Sequence, residues 1–206
     1  MLRKAALLLM TAGIAAGFAT ENLLVLKVGP SWPRQLQWSK LPTAGNASVL
    51  GGWIIDRKLS FGGGVDFLWN VNREVNRIPG KSNVYRIEQS QKSFMFPVSG
   101  FLAIDPVPAL RVHPCASVQV GLNNLYYSNS ADSAADDIYR ESGFYMGFFC
   151  KIAADAIYDL GEKSGLFAGL EYEWANTDRL GVKSSDIQIP RDMSGFGLRA
   201  GFRVMY

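Results

Sequence analysis

The last fourteen residues alternate without a break. Ser194, Phe196, Leu198, Ala200, Phe202, Val204 and Tyr206 share one parity. Met193, Gly195, Gly197, Arg199, Gly201, Arg203 and Met205 share the other. A period of two belongs to an extended strand with one apolar face.

The pattern recurs upstream. Leu166, Ala168, Leu170, Tyr172 and Trp174 oppose Gly169, Glu171 and Glu173. Phe144, Met146, Phe148, Cys150 and Ile152 oppose Gly147, Lys151 and Asp155. Similar rows begin at Ala116, Phe94 and Phe61, and weaker ones at Leu24 and Val49. Eight strands result, at about 22–30, 46–56, 58–71, 92–104, 114–127, 142–157, 164–176 and 193–206. Most reach the ~9–11 residues that a tilted strand needs to cross a bilayer. No stretch of 18 apolar residues follows the N-terminus, so a spanning helix is excluded there.

The connections alternate in length. Long loops are expected at 31–45, 72–91, 128–141 and 177–192, with tight links around Arg57, 105–113 and 158–163. That alternation, with the bulky apolar residues forming one continuous face, predicts an all-β fold: an eight-stranded antiparallel up-and-down transmembrane β-barrel. Eight strands enclose a lumen that side chains can fill. Its lining is expected to be small or charged.

The N-terminus reads as an export signal. Arg3 and Lys4 precede an apolar run from Ala5 to Ala16, and small residues at Gly17 and Ala19 suit cleavage after Ala19. The domains are therefore a signal peptide over 1–19 and a barrel over 20–206. Loss of Arg3 and Lys4 lowers the formal charge from +3 to +1. Such balance argues against a nucleic-acid partner.

The signal, the strands and the terminal run Gly195–Tyr206 resemble the small bacterial outer-membrane β-barrel superfamily, which includes the OmpA membrane domain and OmpX. The resemblance covers the mature chain in architecture and C-terminal pattern. It implies an integral outer-membrane protein, contact with outer-membrane lipid and lipopolysaccharide, and delivery by the barrel assembly machinery. Phe202, Val204 and Tyr206 correspond to the assembly signal. It implies no subfamily and no oligomeric state.

Eight charged residues have inward parity: Lys27, Asp66, Lys151, Asp155, Glu171, Glu173, Arg199 and Arg203. Buried charges must pair or cost several kcal/mol each. A network plugging the lumen is expected, with Glu171 near Arg199 and with Lys27, Asp66 and Lys151 at one level. Trp53, Trp69, Tyr126, Tyr172, Trp174 and Tyr206 sit near strand ends, where aromatic girdles belong. Parity puts Cys115 inside and Cys150 outside, which opposes a disulfide.

Nothing in the sequence points to a metal or another cofactor. The single histidine, His113, falls in the short 105–113 connection and reads as a turn residue. Gly62-Gly63-Gly64 lacks the Lys-Ser/Thr of a phosphate loop and reads as a strand bend or close packing. Arg73, Arg77, Lys81, Arg86 and Lys92 make one long loop basic, and 132–137 is acidic without calcium-loop spacing. The expected function is non-enzymatic, a structural or surface-interaction role through the extracellular loops. The alternatives are a narrow channel for small solutes and, further off, a lipid A-modifying enzyme. Barrel enzymes of that kind use His with Ser and a carboxylate.

Overall fold

The computed structural model describes residues 21–33, 44–79, 84–133, 137–180 and 191–206. For 72–79, 84–89, 129, 131–133, 137–141, 179 and 191 it describes the backbone alone. The segment expected to be a signal, Lys81 and the side chains of the acidic 132–137 stretch lie outside those described. So do the side chains of Arg73, Arg77 and Arg86.

The strands are β1 (Glu21–Pro33), β2 (Ala44–Ile55), β3 (Leu59–Pro79), β4 (Val84–Met95), β5 (Val98–Ile104), β6 (Val112–Ser133), β7 (Asp137–Gly161), β8 (Ser164–Arg179), β9 (Arg191–Asp192) and β10 (Gly195–Met205). All pairings are antiparallel between chain neighbours, and β1 meets β10 to close the sheet. β4 and β5 are one stave. Leu68 faces Met95 and Val65 faces Val98, so the register runs on across the gap. Pro97 makes the gap because it has no N–H to give. The Asp66 amide donates to the Pro97 carbonyl at 3.0 Å, and no bond returns from that nitrogen. With β9 and β10 counted together, the fold is a closed eight-stranded antiparallel barrel.

The long loops expected at 72–91 and 128–141 are largely strand. β3 and β4 stay paired from Leu68–Met95 out to Pro79–Val84. β6 and β7 stay paired out to Asp132–Asp137. These extensions read Asn-Arg-Glu-Val-Asn-Arg and Ser-Asn-Ser-Ala-Asp-Ser, polar on both parities. Beyond the membrane neither face needs to be apolar, so the period of two vanishes while the ladder hydrogen bonds continue.

The outer surface is apolar. Val28 (60%), Leu122 (57%), Phe148 (59%) and Leu170 (61%) are among its exposed side chains. Water would not support a belt of that size on a monomer, whereas hydrocarbon does. Aromatics flank the belt. At the long-connection end Tyr172 meets Trp174 and Phe196 at 4.5 and 4.7 Å between ring centroids, and Phe67 meets Trp69 at 5.2 Å. At the short-turn end Trp53 meets Phe61 at 5.7 Å.

The short-turn rim is tied together through its backbone. Amides of Asp105, Asp159 and Met205 donate to carbonyls of Lys58, Arg111 and Lys163. In the β2–β3 turn Asp56 and Arg57 have φ of 52° and 58°, and the Lys58 amide donates to Ile55 at 3.0 Å. That left-handed pair suits the twist of the strands it joins.

Candidate functional site: the barrel lumen

Inward parity brings the lumen together strand by strand. Toward the long-connection end lies an apolar layer that includes Leu68, Met95, Leu125, Tyr145 and Phe149. Met95 and Phe149 are 0% exposed. Below it lies a layer of charge. Near the short turns, Leu23, Leu50, Ile54, Phe101 and Met205 pack on one side. The lining is thus not confined to small and charged groups, as the alternation suggested. The reason lies in doublets such as Phe148–Phe149, which place an aromatic on each face and blur the amphipathic signal.

Seven of the eight inward charges join in the middle layer. Lys151 Nζ lies 3.4 Å from Asp66 Oδ1, 3.3 Å from Glu171 Oε1 and 3.4 Å from Glu173 Oε2. Lys27 Nζ lies 3.4 Å from Asp66 Oδ1 and 3.7 Å from Glu171 Oε2. Arg199 is bidentate on Asp155, with Nε donating to Oδ1 at 2.6 Å and Nη2 bonding Oδ2. Its Nη1 reaches Glu171 Oε2 at 3.5 Å and its Nη2 donates to Ser117 Oγ at 3.1 Å. Neutral donors complete the layer. Asn46 Nδ2 donates to Glu171 Oε1 at 2.7 Å, and Ser48 Oγ donates to Asp66 Oδ1. Ion pairs at this depth persist when hydrogen bonds fill their remaining lone pairs; among the described residues, Asp66 Oδ2 and Glu173 Oε1 are the two carboxylate oxygens of the layer without such a bond.

Arg203 sits apart, in a second cluster near the short turns. Its Nη2 donates to Asp159 Oδ1 at 3.0 Å and lies 3.1 Å from His113 Nε2. Its Nη1 lies 3.6 Å from Asp105 Oδ2. His113 Nδ1 is 2.6 Å from the same Asp105 oxygen, and its Nε2 is 3.3 Å from Asp159 Oδ2. His113 is not a turn residue. It is the second residue of β6, 1% exposed and inside the barrel. Its neighbours here are two carboxylates and a guanidinium, which engage both ring nitrogens. Sequence reasoning missed Asp105, His113 and Asp159, which were read with the connections. Their parity matches Phe101, Cys115 and Asp155, and that was the available signal.

Between the two clusters is a cavity of about 60 Å³ bordered by Lys27, Cys115, Ser117, Phe167, Arg199 and Arg203. It has room for a few waters. Cys115 faces this cavity, while Cys150 lies opposite Val120 on the outer face, and both thiols are free. Among the described residues no group of three or more His, Cys, Asp or Glu is arranged to hold a metal ion.

Of the aromatic residues, Trp69 and Trp174 are exposed on the outer surface at the long-connection end, with Tyr126 and Tyr172 half-buried beside them. Trp53 and Tyr206 are exposed at the short-turn end, where Asn22 pairs with Trp53 and donates to the Tyr206 carbonyl. Phe202 and Val204 are half-buried in β10 against Leu26 and Leu24 of β1. In the glycine run, Gly62 and Gly64 face inward, and a side chain on Gly62 would run into the Gly51 carbonyl of β2.

No family model matches the chain, and no curated protein matches it significantly. Among solved structures it is similar to Neisserial surface protein A at 14% identity, over 90% of this chain and 97% of that one, with a TM-score of 0.49. It is similar to the outer membrane protein OprG from Pseudomonas aeruginosa at 12% identity, over 91% and 96%, with a TM-score of 0.47. It is similar to Ail, the attachment invasion locus protein of Yersinia pestis, at 12% identity, over 89% and 96%, with a TM-score of 0.44. At such identities and scores the likeness carries nothing about ligand or role.

Proposed function

We propose that this chain is an exported outer-membrane barrel with a closed lumen that acts without catalysis, through the surface it presents outside the cell. The carrying observation is the filling of the lumen. The fully buried Met95 and Phe149 lie above a charge layer whose members contact one another at hydrogen-bond distance. A solute path would have to displace both. Residues 1–19 serve as the export signal, and Phe202, Val204 and Tyr206 serve as the mark for the assembly machinery. The long connections then face outward and the short turns face the periplasm.

The outward end also fits lipopolysaccharide. Lys92 is exposed on the outer parity of β4, two residues beyond Phe94 and beside Val71 of β3. A cation just above an aromatic patch suits a phosphate at headgroup depth. A lipid A-modifying role lacks support, because the histidine is buried near the opposite end.

Planar-bilayer recording of the purified protein tests the reading. No steady conductance is expected. A large, steady conductance would refute the closed lumen and favour a narrow channel.

A further inference from the structure

We infer that the periplasmic rim carries a built site for the phosphodiester headgroup of an anionic glycerophospholipid, centred on Arg111 and Tyr158. Arg111 closes the short connection between β5 and β6, and Tyr158 lies at the outer-face end of β7. The guanidinium lies over the phenol ring, 5.0 Å from its centroid, and Nη2 donates to the phenol oxygen at 2.6 Å. The Arg111 carbonyl accepts from the Asp159 amide at 3.0 Å, so the backbone is held as well. One N–H is thereby used. The guanidinium carries five. No carboxylate pairs with Arg111 among the described residues, and the side chain is exposed. An arginine that is fixed in place, exposed and without a counter-charge is preorganised for a phosphate.

The surroundings choose the source of that phosphate. Leu110, Val112 and Leu160 are all more than half exposed beside the pair. They carry the apolar belt down to the ends of β6 and β7, where Arg111 and Tyr158 sit. Acyl chains would lie on them while the phosphate meets Arg111, which free phosphate has no reason to prefer. The charge of the rim favours an anionic headgroup. Arg57, Lys58, Arg111 and Lys163 are exposed in the short turns, against Asp56 and Glu162.

The inference rests on the membrane reading, and its test separates the two. The full barrel is purified in detergent and exposed to phosphatidylglycerol or phosphatidylcholine at equal mole fraction. Bound lipid is then counted by native mass spectrometry. Preferential retention of phosphatidylglycerol is expected. Arg111→Ala should lower that retention about fivefold, the scale of one basic side chain at an anionic surface. Arg111→Gln serves in its place if the alanine variant does not fold, and Arg57→Ala, which removes only general rim charge, should lower retention less than Arg111→Ala does. Equal retention of the two lipids, unchanged retention in the Arg111 variants, or an equal loss in Arg57→Ala would each overturn the site. A chain that stays soluble without detergent would instead refute the membrane reading itself.

Discussion

Replacing Lys151 with methionine should be among the most damaging single changes in the barrel. Lys151 is 1% exposed, and its ammonium touches three carboxylates at 3.3–3.4 Å. One such contact has a Coulomb energy of about 5 kcal/mol at an effective dielectric of about 20. The gross attraction of three contacts is offset by the cost of taking the ammonium out of water and by repulsion from Lys27 and Arg199. The net loss on breaking a buried ion pair is about 3–5 kcal/mol, because the abandoned charges stay buried. Methionine keeps the volume, so packing loss should be small. In the variant, Lys27 and Arg199 alone would face Asp66, Asp155, Glu171 and Glu173. Adding Glu173→Gln removes one orphaned charge and should restore at least half of the loss. Urea unfolding of detergent-embedded or vesicle-embedded barrel, followed by tryptophan emission in both directions, measures both variants. A loss under about 1 kcal/mol in Lys151→Met would refute the reasoning, because the layer would then be hydrated well enough to screen its charges. A double variant no more stable than the single would refute the pairing of Lys151 with Glu173.

Two further outcomes are expected from the backbone. Arg57→Gly should stabilise the barrel by about 1 kcal/mol in the same unfolding assay, since Arg57 holds a left-handed φ of 58° that glycine adopts freely. Gly62→Ala should cost about 1–3 kcal/mol, because its Cβ meets the β2 backbone, whereas Gly51→Ala, with nothing near its Cβ, should be close to neutral.

Strand parity made most of the lumen legible in the sequence. Lys27, Asp66, Lys151 and Glu171 read as inward from their apolar neighbours alone, and their contacts follow from the register that parity fixes. The eight membrane-crossing segments read equally well, since each must turn an apolar face to hydrocarbon. Two things escaped. The extensions of β3, β4, β6 and β7 escaped because a ladder in water has no burial demand to print on the sequence. The His113 cluster escaped for another reason. Pro106 and Pro108, with Pro114 just after, mark 105–113 as a connection, yet β6 already begins at Val112, and Pro114 lies on its outer parity opposite Ala156. Turn chemistry outweighed parity there, although parity placed His113 and Asp105 correctly.

Closure of the barrel has a consequence for how it is made. Its seam joins Leu23 to Met205 and Val28 to Ala200, which places the first stave against the last. No ribosome can deliver such a seam piecemeal. Until β10 has been synthesised, β1 has no second neighbour and both flanks of the growing sheet stay open. The seam therefore cannot close until the whole length is available, and contacts this distant in sequence are slow to form. A clone ending before Gly195 should yield not seven-eighths of a barrel but an open sheet that proteases digest.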